Sequence, residues 1–201
     1  MEDIDNTKNE NKSKVINVEN NIFYNGKIDH PGSSEFQKYI YQYITKCKDK
    51  KEKENKDCDP LNIHITSGGG SVASGLAMMN AVEDANNNGI ETVSWSKGFV
   101  GSASTYVAFA CKKRFSFENT VFLLHPPSKS GISGQTNDIE TSAENLRTTH
   151  DNIMNVYQKY TKKPFMINLI QNNFENNKYS LPKTMLNFGL IDDIILQRGL
   201  F

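Results

Sequence analysis

A serine follows two glycines in "SWSKGFVGSASTYVAFACKK" (residues 94–113), where a β-rich run gives way to a run of small, helix-forming residues. At neutral pH a serine hydroxyl attacks a carbonyl only with help. It needs a base within hydrogen-bond reach, a group that orients that base, and donors for the oxyanion that forms. In the first turn of a helix over 102–112, Ser102 would sit among free backbone N–H groups and the positive end of the helix dipole. A plain N-cap would look the same, and that is the usual role of a serine at a helix start. The candidate base is His125, which ends "TVFLLH" and is followed by two prolines. Of the other histidines, His30 falls in an early polar turn, His150 on the polar surface of a long helix, and His64 inside "NIHITS". Only His125 pairs naturally with a serine at the end of a neighbouring strand. The third element is "SGGGSV" (67–72), whose glycines can donate N–H groups to an oxyanion or simply turn a strand into a helix. It echoes a phosphate-binding loop, but the Lys-Ser/Thr ending and the dinucleotide spacing are missing, so nucleotide binding is disfavoured.

These residues need a frame that brings them together. "LNIHITS" reads as a strand, "GGG" as a turn and "SVASGLAMMNAVEDANN" as a helix; "IETVSWSKG" and "SASTYVAFACKK" repeat the pattern. Successive strand, glycine turn and helix predict βα units on a largely parallel sheet, hence an α/β fold. Right-handed crossovers then bring Gly68–Gly70 and Ser102 to the carboxyl ends of adjacent strands as neighbours. Upstream, "VINVENNIFYNGKID" predicts a short strand and turn. "SSEFQKYIYQYITKCK" predicts an amphipathic helix, with Ser34 and Gln37 as a capping box. "KCKDKKEKENKDCDP" (46–60) reads as a charged, solvated loop. Downstream, two short β pieces end at His125, "SKSGISGQTNDIE" is a connection, and 141–163 is a long helix. A short helix, an extended piece before a helical turn opened by Pro182, and a last strand in "FGLIDDIIL" complete the chain.

Composition narrows the function classes. The 201 residues carry 23 Lys and Arg against 23 Asp and Glu, so no basic field favours nucleic acid or an anionic membrane. Residues 1–14 are almost devoid of apolar side chains and read as a disordered tail; residues 15–201 then form one domain. No apolar run approaches the roughly 18 residues of a membrane span. The acidic, polar N-terminus is unlike a signal or transit peptide. Cys47, Cys58 and Cys111 are odd in number and form no CxxC or Cys/His cluster, which argues against a disulfide framework or zinc and for a reducing compartment. A cytosolic protein is the default, with an organellar or virus-encoded origin left open.

Taken together, "ITSGGGSVASGLAMMNAV", "KGFVGSASTYVAFACKKRFSFENTVFLLHPP", "SGISGQTNDIE" and "FGLIDDIIL" resemble, in order and spacing, the ClpP family of self-compartmentalised serine peptidases. The resemblance runs from about residue 20 to 197. It implies a ClpP/crotonase-like α/β fold with repeated βα turns and a helical handle over 128–162, and heptameric rings, stacked in pairs, that hydrolyse unfolded polypeptides inside a chamber. It makes Ser102 the nucleophile and His125 the general base, with the N–H groups of Gly70 and Ala103 as oxyanion donors. Gly131, Gly134 and Gln135 fall in the handle segment that pairs with substrate. No metal or organic cofactor is implied in this subunit, and ATP would be used by a hexameric AAA+ unfoldase partner.

Three departures qualify the resemblance. Aligning "GLID" puts Asn177 where the family has the third triad member, normally Asp; an Asn carbonyl can orient an imidazole but cannot stabilise imidazolium by charge. Glu175 and Asp192 are nearby acidic alternatives. Gly68 replaces the usual proline before the glycine pair, and the family's N-terminal axial loop is not recognisable in the first thirty residues. The alternative to an active peptidase is therefore a weakened or inactive ring subunit beside an active paralogue. A crotonase-type acyl-CoA enzyme would need acidic residues in place of this Ser/His pair. A Ser-Lys peptidase would have only Lys97, before the glycine turn, as its base.

Overall fold

The computed structural model describes residues 12–196. Most of the anticipated 1–14 tail, residues 1–11, lies outside the described residues. Ser13 and Lys14 do not belong to a disordered tail: Lys14 opens strand β1 (Lys14–Val18), and Ser13 Oγ donates to Asp29 at 2.7 Å. β1 pairs antiparallel with β2 (Asn21–Asn25), which starts a parallel run through β3 (Leu61–Ser67) and β4 (Thr92–Gly101). Each later strand follows a helix or turn that packs back on the sheet. The sheet order is β1-β2-β3-β4-β5-β8, with β5 at Lys113–Phe117 and β8 at Asp193–Ile195. β4 forks: Val93–Ser96 pairs with β5, whereas Phe99–Gly101 pairs with β6 (Val121–Leu123). β7 (Tyr179–Ser180) adds antiparallel to β6.

Strict alternation explains β3. Leu61, Ile63, Ile65 and Ser67 are buried, while Asn62, His64 and Thr66 on the other face are half-buried. The buried face shares one hydrophobic core with helices α1 (His30–Glu54), α2 (Val72–Asn87) and α3 (Ala103–Ala110). All eight residues of α3 are buried, so the helix that follows Ser102 is fixed on every side. Such immersion favours precise placement of whatever stands at its start.

α1 corrects two expectations. Its cap is Asp29, whose carboxylate accepts from Gly32 N–H at 2.8 Å, with Pro31 in the first turn; the Ser34/Gln37 box does not form, and Gln37 bonds back to Ser33. Nor does the helix stop at the charged run. Residues 46–54 continue it, because Lys and Glu are good helix formers whatever their charge, and only 55–60 form the loop. The extension keeps Cys47 on the buried stripe with Phe36, Ile40 and Ile44. The loop then returns Cys58 to it: the two form a disulfide, with Cα atoms 5.5 Å apart, and Cys111 is free and buried. An odd cysteine count does not forbid one bridge. The inference of a reducing compartment loses the support it drew from unpaired cysteines.

The handle differs as well. Helix α4 spans Thr136–Tyr160, starting ahead of residue 141, because Gln135 and Asp138 make a reciprocal capping box around its first turn. Residues 124–135 form no strand, so the substrate-pairing strand implied at Gly131, Gly134 and Gln135 is not present in the single chain. Gly134 has φ +145 and Gln135 is the N-cap of α4. A short 3-10 turn (Pro164–Met166), α5 (Ile167–Glu175) and α6 (Pro182–Phe188) follow. Among the described residues no helix is long and apolar enough to cross a membrane, and no group of three or more His, Cys, Asp or Glu is arranged to hold a metal.

Candidate active site

Parallel pairing of β4 with β6 sets Gly101 against Leu123. The next residues of the two strands therefore leave the sheet side by side. Ser102 N–H donates to Leu123 O at 2.8 Å, which ties the serine to the strand that delivers His125 two residues later. Ser102 has φ 53 and ψ −130, a conformation rarely taken by a residue with a side chain. Such a conformation costs roughly 1–3 kcal/mol and persists only where its surroundings over-determine it. Ser102 stands at the N-cap position of α3, but its hydroxyl makes no capping hydrogen bond. Nor does its hydroxyl bond to Ser104, whose Oγ instead turns back to Gly101 N–H at 3.0 Å, Ser67 O at 2.8 Å and Gly101 O at 2.7 Å. That leaves the Ser102 hydroxyl free for other use.

The triple glycine comes where βα topology predicts. A Cβ on Gly69 would lie 2.5 Å from Ser102 Cβ and 2.6 Å from Gly101 O, and Gly69 has φ +93. Contact this close requires glycine. Gly70 forms a parallel bridge with Ile28, in which Ile28 N–H donates to Gly69 O at 2.8 Å and Ser71 N–H to Ile28 O at 2.9 Å. A parallel bridge of this kind uses the flanking residues' groups, so Gly70's own N–H is not spent on Ile28. Ala103 N–H, at the first position of α3, is among the helix donors with no intrahelical acceptor. Gly70 follows the glycine that packs on Ser102, and Ala103 follows the serine itself.

His125 is half-buried and Asn177 is exposed. Asn177 has φ 51, with its N–H on Phe174 O at 3.2 Å. β6 and β7 pair Leu123 with Tyr179 and Phe122 with Ser180. His125 and Asn177 each lie two residues beyond this paired end of the two strands, outside the ladder, with Asn177 in a turn. The backbone of Ser102 is tied to the strand that leads to His125, but the side chains of Ser102, His125 and Asn177 make no hydrogen bonds to one another among the described residues. Catalytic hydrogen bonds are often long or misaligned in a free enzyme and tighten with substrate.

The acidic alternatives are engaged elsewhere. Glu175 Oε1 lies 2.9 Å from His150 Nε2, and Asp192 pairs with Arg114 at 3.3 Å and Lys162 at 2.6 Å. Burial lowers the His150 pKa, but hydrogen bonds to Asp151 and Glu175 and their charges outweigh it, so the imidazole is raised above its ordinary value. Lys97 lies over the rings of Phe23 and Phe117, at 5.9 and 5.3 Å, and is unsuited as a base for Ser102. A cleft of about 720 Å³ runs between Val72 and Leu76 of α2 and Thr148, Asn152 and Asn155 of α4. Thr105 and Tyr157, which anchor the Ser102 carbonyl, were not singled out from sequence; the one available signal was a hydroxyl three residues after the serine, a reach that closes a helical turn.

Comparison with known proteins gives concordant results. A family model described as Clp protease matches residues 7–198. The ATP-dependent Clp protease proteolytic subunit of Bdellovibrio bacteriovorus is 28% identical over 143 residues, covering 69% of this chain and 65% of that protein; the chain thus spans just under two thirds of that relative's length. A solved structure, an Asn-to-Asp mutant of ClpP1 from Listeria monocytogenes, superposes with a TM-score of 0.72 at 19% identity, covering 89% of this chain and 92% of that one. At that identity the likeness speaks for the fold.

Proposed function

The chain belongs to the Clp protease family and has its crotonase-like α/β fold, and from that premise we propose that it is a serine endopeptidase subunit acting on unfolded polypeptides. The observation that carries the reading is Ser102 itself: a non-glycine residue held at φ 53, with a hydroxyl spared from capping, at the end of the strand beside the one that leads to His125. Ser102 Oγ attacks the scissile carbonyl carbon while His125 takes the hydroxyl proton. The carbonyl oxygen becomes an oxyanion facing the N–H groups of Gly70 and Ala103. His125 then protonates the leaving amine, the C–N bond breaks, and water repeats the sequence on the acyl-enzyme. Asn177 is the residue best suited to orient the imidazole. No organic cofactor or metal enters these steps.

An extended peptide pairing with the backbone of the handle segment 128–135 would have its main chain recognised and its side chains weakly read. The cleft between α2 and α4, whose lining starts two residues after Gly70, has room for a substrate side chain. Exposed Phe165, Leu169, Tyr179 and Leu181 offer apolar surface for assembly into heptameric rings, and a hexameric AAA+ unfoldase using ATP would feed the chamber. Degradation of an unfolded, casein-like protein by the assembled chain, abolished in Ser102→Ala, tests the reading; equal degradation by both would refute it.

One observation favours a second reading, that of a weakened ring subunit. Asn177 is exposed and lacks the negative charge that stabilises an imidazolium. Co-assembly with an active paralogue, with activity unchanged by Ser102→Ala, would support it.

A further inference from the structure

Thr105 lies in the first turn of α3 and Tyr157 in the buried half of α4, and both are fully buried. Thr105 Oγ1 is 2.6 Å from Ser102 O and 3.0 Å from the Tyr157 hydroxyl. A carbonyl only accepts, so the threonine's single proton is committed to Ser102 and Tyr157 must be the donor to Thr105. The result is a directed chain, from Tyr157 O–H to Thr105 O–H to Ser102 C=O. In a buried setting each link strengthens the next. Burial above all, then the neighbouring Tyr106, keeps the Tyr157 phenol protonated and therefore a donor.

The carbonyl of Ser102 and the N–H of Ala103 belong to one planar trans peptide and point in opposite directions. Fixing the carbonyl therefore fixes the N–H. Thr105 N–H also reaches Ser102 O, at 3.0 Å, in the i→i+3 pattern of a 3-10 turn; the hydroxyl adds a second anchor. The torsion that swings this peptide is ψ of Ser102, −130 in a residue already held at φ 53. The same Tyr157 ring meets Phe174 nearly edge-on at 5.8 Å, and the Phe174 carbonyl receives the Asn177 N–H. One residue of α4 thus touches the supports of both sides of the site.

We propose that Thr105 and Tyr157 are positioning residues that hold the Ser102–Ala103 peptide with its N–H toward the oxyanion, so that the seating of α4 against α3 sets the rate of acylation. The inference rests on the serine-peptidase reading above. It is tested by steady-state cleavage of a fluorogenic peptide and by the rate of fluorophosphonate labelling, in wild type, Tyr157→Phe, Thr105→Val, Thr105→Ser and the double variant Thr105→Val/Tyr157→Phe. Thermal midpoint and assembly state are measured alongside.

Loss of a whole oxyanion donor lowers kcat by about 10²–10³ and sets the ceiling. Thr105→Val should lower kcat by about 10–100-fold and Tyr157→Phe by about 3–10-fold, with KM unchanged. Thr105→Ser should restore most of the rate, and the double variant should be no slower than Thr105→Val, since Tyr157 acts through Thr105. Folded variants that acylate as fast as wild type, or that lose only stability or KM, would overturn the proposal. If Thr105→Val does not fold, Tyr157→Phe, which removes one oxygen, decides alone. A folded, assembled wild type that neither labels nor cleaves removes the peptidase reading and this inference with it; a reactive wild type with unaffected variants removes only this inference.

Discussion

Asn177 and His125 each lie two residues beyond the Leu123–Tyr179 pair that ends the β6–β7 ladder. β7 is only two residues long, and Asn177 is exposed in a turn at φ 51. A short, solvent-facing strand is a weak support for an orienting residue. On the proposed mechanism this is where catalytic power is limited.

Asn177→Asp should therefore raise the acylation rate about tenfold or more, because a carboxylate holds the tautomer and stabilises the imidazolium. Asn177→Ala should lower it. Stopped-flow labelling of both variants checks the sign, and an unchanged rate in Asn177→Asp would exclude Asn177 as the orienting residue.

Gly69→Ala should abolish labelling. Its Cβ would overlap Ser102 Cβ, and its φ of +93 disfavours any side chain. Gly68→Ala is the control: its Cβ would meet only the Phe99 ring at 3.4 Å, an ordinary contact. Labelling should survive there, with stability changed by about 1 kcal/mol or less. Equal loss in both variants would contradict the asymmetry.

Much of this site was legible in the sequence because βα topology is strongly encoded. Alternation in "LNIHITS" and the glycines after it suffice to bring Gly69 against Ser102. What was not legible depended on long-range partners. The charged run 46–54 reads as a loop until Cys47 is seen to keep the helix register and meet Cys58. The cap of α1 comes from Asp29, itself braced by Ser13 sixteen residues upstream, a distance no local motif spans. The expected strand at Gly131–Gln135 lacks a partner within the chain, and an unpaired strand has no ladder to stabilise it.

The Cys47–Cys58 bridge closes a loop of eleven residues in sequence separation. Chain-entropy arguments assign such a loop about 3 kcal/mol. Cys58→Ser should lower unfolding stability by roughly 2–3 kcal/mol, and a reducing agent should lower the wild-type thermal midpoint but not the variant's. A reductant-insensitive wild type, or full alkylation of all three cysteines in the native protein, would count against the bridge.

His64 should make stability pH-dependent. Burial first, and the nearby Lys97 second, push its imidazole down to about 4 from 6.5; Nε2 lies 3.2 Å from Asn21 Oδ1 and Nδ1 is buried without a partner, as suits a neutral ring. Between those values the unfolded chain binds the proton and the folded one does not. Stability is thus lost as pH falls from 6.5 to 4. His64→Phe should flatten that slope in denaturant titrations; an identical slope in the two proteins would assign the effect to other groups.

The measurement that bears most directly on the central claim is intact-mass analysis after a fluorophosphonate probe, on wild type beside Ser102→Ala and His125→Ala. A single adduct in the wild type, absent from both variants, is the predicted result. An adduct that survives Ser102→Ala, or none on a properly assembled wild type, would contradict the assignment of Ser102 as an activated nucleophile.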